Sequence, residues 1–190
     1  MFYKVKVSDH IRLPPDKFGE NLNQAIILEI KTKYSGFISR ELGLVIEVAD
    51  VEDIQDGIII PGDGASYYRT IFSIYTFKPE MQEVIPGVIK DIADFGAFMS
   101  IGPIEGMIHI SQTMNDFVSF TKDKVLQGKE TKHTLKVGDK CHARIIAVSY
   151  KDVANPKLGL SMRQVGLGKL EWISEDLEKG VKPKKADPKK

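Results

Sequence analysis

Residues 87–111 read GVIKDIADFGAFMSIGPIEGMIHIS, and the fold of the second half of the chain turns on how this stretch divides. Gly87 to Ile92 reads as a strand, Asp94 stands at a turn, and Gly96 to Ile101 is a second strand. Gly102-Pro103 turns the chain again, and Gly106 to Ile110 is a third strand. Side chains alternate across a strand, so Ala97, Met99 and Ile101 share one face while Phe98 and Ser100 take the other. In the third strand Ile108 and Ile110 share a face, and Met107 and His109 point the opposite way. Two more strands follow. Val137-Gly138-Asp139 turns the chain into KCHARIIAVSY, where Cys141, Ala143 and Ile145 alternate with His142 and Arg144. Leu158, Leu160 and Met162 then alternate with Lys157, Ser161 and Arg163. Five short antiparallel strands predict a small Greek-key barrel of the OB type, with Cys141 as a small core residue.

Phe98 and His109 both face away from the aliphatic side, and Phe95 sits at the mouth of the strand. A flat aromatic on a solvent-facing sheet offers a nucleobase a stacking surface worth ~1–3 kcal/mol per base, without reading sequence. A single such ring would more simply belong to a second small core; two phenylalanines and a histidine on one face favour stacking. Lys90, Arg144, Lys157 and Arg163 supply a basic frame. The segment 112–136 is rich in charged and hydrogen-bonding residues and is expected to be a long solvated loop, with Phe117 and Phe120 as exceptions that pack over the barrel.

Working back toward the N-terminus, residues 2–13 alternate, with Tyr3, Val5 and Val7 on one face and Lys4 and Lys6 on the other. Pro14-Pro15-Asp16 breaks that strand and opens a helix. Phe18, Leu22, Ile26 and Ile30 at four-residue spacing form its apolar stripe, and Ser35-Gly36 stops it. Leu44, Ile46 and Val48 alternate again, and YYRTIFSIYTFK (67–78) is the longest strand candidate, apolar on both faces. One helix layer covers one face of a small sheet, so the second face calls for cover from the other domain or from another protein chain. The expected fold class is thus an α+β N-terminal domain (strand–helix–strand–strand) followed by an all-β five-stranded OB-fold barrel. The expected boundaries are 1–80, 81–173, and a short helix with a flexible Lys-rich tail over 174–190. Between the front strands, Gly62-Asp63-Gly64 forms a tight turn, since glycine accepts positive φ. No GK[ST] follows, so this is not a phosphate loop of the nucleotide-binding kind.

The 190 residues are 42% apolar and 28% charged, as in soluble globular proteins. Net charge is +1, split as −3 over residues 1–80 and +2 over each of 81–165 and 166–190. A nucleic-acid site must therefore be local rather than a property of the whole surface. No apolar run approaches a membrane span, and MFYKVKVSDH lacks the core of a signal peptide, so a cytoplasmic, membrane-free location is expected. One cysteine excludes an internal disulfide and a cysteine-cluster metal site, and the four histidines form no HExxH. Asp91 and Asp94 lack a third ligand, and Ser111 beside His109 lacks an orienting acid. No cofactor, metal or catalytic residue is expected.

Gly87, Ile89, Ile92, Phe95-Gly96-Ala97-Phe98, Glu105 to Ser111, Val137-Gly138-Asp139 and Leu160-Ser161-Met162 resemble the RNA-binding repeat of bacterial ribosomal protein S-one over about residues 82–163. In that family the positions of Phe95, Phe98, His109 and Lys157 face RNA. Two departures are Ser149, where an aspartate is usual, and the long 112–136 connection. The whole chain, including GDGASYYR and GLGKLEWI, resembles the stalk-subunit family of archaeal RNA polymerase, the E-prime subunits, counterparts of the seventh subunit of eukaryotic polymerase II. The resemblance implies a non-catalytic subunit that forms a heterodimer with the small helical F subunit of RNA polymerase and docks on core RNA polymerase subunits. Gly62, Asp63, Gly64 and Tyr67 would form the docking tip, and nascent single-stranded RNA would lie on the barrel. The competing readings are an RNA-binding subunit of another machine, such as an exosome cap or a translation factor, and a structural adaptor whose barrel binds protein. Trp172 is expected to close the barrel as a lid.

Overall fold

The alternating sequence FYKVKVSDHIRL builds β1 (Phe2–Leu13), whose Val5, Val7 and Ile11 turn toward a helix and whose lysines turn away. That helix, α1 (Leu22–Tyr34), starts later than the four-residue spacing suggests. Pro15–Lys17 forms only a 3-10 turn, and the Asn21 side chain caps α1 by accepting the N–H groups of Asn23 and Gln24. Phe18 and Leu22 consequently fall outside the buried stripe and are exposed; Ala25, Ile26, Ile30 and Tyr34 form it. The short β2 (Ile38–Ser39), the long β3 (Gly43–Ile59) and β4 (Ser66–Phe77) complete a sheet of order β1-β4-β3-β2. The computed structural model describes residues 1–121, 123–150 and 156–178 and divides into two compact units, Met1–Pro79 and Glu80–Lys190.

The longest strand is β3, and its residues do not alternate as Leu44, Ile46 and Val48 led one to expect. Val45, Val48, Val51, Ile54 and Gly57 pair in turn with Thr76, Ile74, Phe72, Thr70 and Tyr68. Three residues of β3 advance for every two of β4, because a register shift falls between each successive pair. Each shift is a bulge that inserts one extra residue and adds bend and twist. The sequence carries this period openly as Val-Ile-Glu, Val-Ala-Asp, Val-Glu-Asp and Ile-Gln-Asp over 45–56. Val45 and Val48 join Ile26, Ile30, Phe72 and Ile74 in the core under α1. The other face of β4 is covered in part within this unit: Phe2 packs on Phe77 with ring centroids 5.0 Å apart, Lys4 reaches Asp50 at 2.8 Å, and Lys6 pairs with Glu52. Tyr75 stays exposed on that face.

In the second unit β5 (Val84–Ala93), β6 (Gly96–Ser100), β7 (Glu105–His109), β11 (Lys140–Ser149) and β12 (Lys157–Ser161) close into a five-stranded barrel of order β12-β7-β6-β5-β11, sealed by pairing of β11 with β12. Four of its five pairings are antiparallel; β12 runs parallel to β7. Ile89, Ile92, Ala97, Met99, Ile108, Cys141, Ala143, Ile145, Leu158 and Leu160 fill the interior. Burial pushes the Cys141 thiol up to about 12, as befits a core residue. A last strand, β13 (Gly168–Lys169), pairs with β11 and leads into α2 (Leu170–Glu178). Trp172 of α2 is buried, lies against Gly168 and stacks on His133 with centroids 4.9 Å apart. The lysine-rich stretch from 179 onward lies outside the described residues.

The 112–136 connection is not the solvated loop expected from its composition. β8 (Val118–Thr121), β9 (Val125–Gly128) and β10 (Thr134–Leu135) form a three-stranded antiparallel sheet over buried Met114, Leu126 and Leu135. Asp116 cinches its base: one carboxylate oxygen accepts the Phe117 N–H, the other the N–H groups of Glu130 and Thr131 and the Thr131 hydroxyl. These bonds, led by that of the Thr131 N–H, hold its carboxyl below the usual range. Gly128 leaves room for the cluster, since a Cβ there would lie 2.4 Å from an Asp116 oxygen. Phe117 and Phe120 remain exposed.

Candidate functional site

On the outer face of the barrel Phe98 pairs with Met107 of β7 on one side and Asp91 of β5 on the other. Phe95 stands in the turn between β5 and β6, and its carbonyl accepts the Ile110 N–H at 2.9 Å, tying that turn to the end of β7. The two rings meet edge to face, with centroids 5.9 Å apart and planes at 87°. Phe95 is 48% exposed and Phe98 is half-buried, so Phe98 acts as a footing and Phe95 offers an open ring. Gly96 between them is dictated by space: a Cβ would lie 2.2 Å from the Ile108 carbonyl oxygen on β7.

His109 pairs with Gly96 and is exposed beside the rings. Its Nδ1 accepts the Ser111 N–H at 3.3 Å and lies 2.9 Å from the Ser111 hydroxyl, capping the 3-10 turn Ile110–Gln112. An accepting Nδ1 leaves the ring proton on Nε2. Phe95, Phe98 and His109 are thus brought together, with Met107 half-exposed in the same row.

The basic frame divides. Lys90 is exposed on β5 at the shift between the Ile89–Met99 and Asp91–Phe98 pairs, next to the aromatic row. Lys157 is exposed on β12, and because Leu158 pairs with Gly106 it stands level with Glu105, about 7 Å along the strands from the Met107 row. Arg144 is not part of this surface. It pairs with Ser161 and Val84 on β11, which lies two strands from β6 by way of β5 and three by way of β12. Because β11 is two strands removed from β6 around the five-stranded barrel, Arg144 stands on a different side of it from Phe98. Arg163 lies beyond β12 and its Nε donates to Asn115 at 3.1 Å, placing it with the inserted sheet. That sheet also contributes a cation the sequence reading missed. Lys124, in the β8–β9 turn, reaches Asp91 at 2.8 Å, and its hydrogen bond holds the Asp91 carboxyl low. A segment read as loop gave no strand register from which Lys124 could be placed.

In the first unit, Gly62 (φ 95°) and Gly64 (φ 68°) hold the tip turn in the left-handed region, where glycine is favoured. Asp63 between them accepts from Arg12, with Nη2 at 2.6 Å and Nε at 3.1 Å, and from the Tyr67 hydroxyl. The Arg12 hydrogen bonds, followed by that of Tyr67, hold its carboxyl at about 2. Arg12, across from Tyr67 in the β1–β4 register, is the member of this clamp that sequence reading missed. Next to it Ile58, Ile59 and Ile60 are all exposed, making an apolar tip on a pinned turn.

Residues 8–64 match the SHS2 domain found in the N terminus of Rpb7p/Rpc25p/MJ0397, and residues 78–158 match the S1 RNA binding domain. The chain is 35% identical over 177 residues to DNA-directed RNA polymerase subunit Rpo7 of Saccharolobus solfataricus, covering 92% of this chain and 98% of that one. This chain belongs to the Rpo7 family. Rpo7 of Sulfolobus acidocaldarius is 31% identical over 183 residues, covering 96% of this chain and all of that one. DNA-directed RNA polymerase III subunit RPC8 of Saccharomyces cerevisiae is 28% identical over 191 residues, covering 96% and 90%. Within the Rpo7 architecture the two domain matches leave residues 65–77 between them, which contain the whole of β4, the strand that pairs with both β1 and β3.

Proposed function

We propose that this Rpo7-family chain is a non-catalytic stalk subunit of a DNA-directed RNA polymerase that holds single-stranded RNA on the outer face of its barrel. The carrying observation is the exposed Phe95 ring, footed on Phe98 and flanked by His109, in an S1-type barrel. A base stacks on Phe95, and Lys90 and Lys157 screen the phosphates on either side, while Lys124 neutralises Asp91 beside the aromatic row. Stacking with charge gives weak sequence preference and strong salt dependence. The front unit docks on core polymerase through the pinned Gly62-Asp63-Gly64 turn, with Tyr67 holding Asp63 and the exposed isoleucines entering an apolar seat. The small helical F subunit pairs with the chain in the cytoplasm. No helix among the described residues is long and apolar enough to cross a membrane.

Recovery of the tagged chain from its native cells tests this directly. Stoichiometric polymerase large subunits together with one small helical protein support the proposal. Ribonuclease subunits or ribosomes without polymerase would overturn it.

A further inference from the structure

The inserted sheet and the barrel enclose a cleft of about 470 Å³, within the ~300–1,000 Å³ range of small-ligand sites. It is continuous with the aromatic face: its wall begins at Ile110 and Ser111, the residues bonded to Phe95 and His109. Phe117, 74% exposed, stands at its side. This ring, one residue ahead of β8, leaves most of its surface to solvent.

The polar groups of the cleft are sorted by what is already used. Asp116 is saturated by four donors and serves the fold. Asn115 accepts from Arg163 Nε, which leaves its amide N–H groups and the rest of the guanidinium as donors. Among the described residues the Glu130 carboxylate accepts no hydrogen bond and is exposed at the rim. Two carboxylates against one guanidinium make the cleft a poor seat for a phosphate. Donors beside a free carboxylate and an open ring suit a base instead. Guanine alone among the RNA bases presents acceptors, O6 and N7, next to a paired N1–H and N2–H edge that a carboxylate can accept.

We infer that this cleft is a second base site, in which a guanine neighbouring the bases on Phe95 lies against Phe117. Asn115 and Arg163 donate to it and Glu130 accepts from it. The inference rests on the proposed RNA-holding role of the barrel face. It converts a surface without sequence preference into one that favours a guanine at one position.

Fluorescence anisotropy with the full chain and labelled short oligouridines, each carrying one guanosine at a different position, tests it. Wild-type protein should bind one placement about fivefold or more tighter than oligouridine alone. F117A and E130Q should each remove that gain, E130Q with oligouridine binding unchanged; both residues are exposed, so folding is expected to survive, and thermal melts check it. Equal binding of all the oligonucleotides, or a gain that survives both variants, overturns the guanine site. Phe95→Ala with Phe98→Ala provides the separate control: if it leaves oligouridine binding unchanged, the underlying face assignment fails whatever the guanosine series shows. Unchanged RNA binding in F117A accompanied by loss of a co-purifying polypeptide would make the cleft a protein contact and likewise overturn the inference.

Discussion

Replacing Phe95 and Phe98 singly and together puts the stacking geometry at risk. Phe95 has the exposed ring, so F95A removes a base platform worth ~1–3 kcal/mol, or about 5- to 150-fold in affinity. Phe98 is half-buried and meets Phe95 edge to face at 5.9 Å. F98A should therefore act mainly by releasing that footing, at ~0.5–1.5 kcal/mol, or about 2- to 13-fold. Because the footing matters only while the platform exists, the double variant should lose little more than F95A alone, well short of the summed effects. The assay is anisotropy with labelled oligouridine at several salt concentrations. Neither substitution removes a cation, so the slope of log affinity against log salt should stay at its wild-type value. K90A should lower its magnitude by ~0.7, the share of one single-strand phosphate. A larger loss in F98A than in F95A, or full additivity, would refute the platform-and-footing arrangement. An unaltered double variant that keeps its fold would refute stacking altogether.

Gly96→Ala should destabilise the barrel by about 1–3 kcal/mol, because its Cβ would press on the Ile108 carbonyl; an unchanged melting temperature would contradict this. Asp116→Ala should release amide protection over 117–131 while leaving the barrel strands protected, read by hydrogen exchange; uniform loss across both would show that the inserted sheet is not a separate unit. The tip clamp has a pH signature: the Asp63 carboxyl lies below its ordinary 3.8, so its contribution is complete above that value and lost as pH falls through about 2. Amide shifts of Gly62 and Gly64 should follow that acid transition, and D63N should abolish it and weaken recovery of core polymerase with the chain.

The barrel was legible because a period of two persists in β6, β7, β11 and β12, and the burial of Ala97, Met99, Ile108, Ala143, Ile145 and Leu160 follows it. Alternation also separated Phe98 and His109 from that core. It could not distinguish directions around a closed barrel, which is why Arg144 was grouped with residues it turns away from. The inserted sheet was hidden because its apolar residues, Met114, Phe117-Val118, Phe120, Val125-Leu126 and Leu135, are scattered through a polar segment with no sustained period, and what organises them is the Asp116 cluster. The start of α1 was misplaced because Phe18 and Leu22 fit a stripe by spacing, whereas the Asn21 cap decides where the helix begins. In β3 the signal was present but had a period of three.

That period gives the tip a discrete ruler. One aliphatic–x–acidic triplet of β3 spans two residues of β4, or about 7 Å of sheet. Gain or loss of a whole triplet, matched by two residues of β4, moves the tip turn by one step and leaves every valine facing α1. A change of one residue instead carries the aliphatic positions beyond it out of the core. The reach of the tip turn is therefore quantised: in this sheet it changes by whole notches.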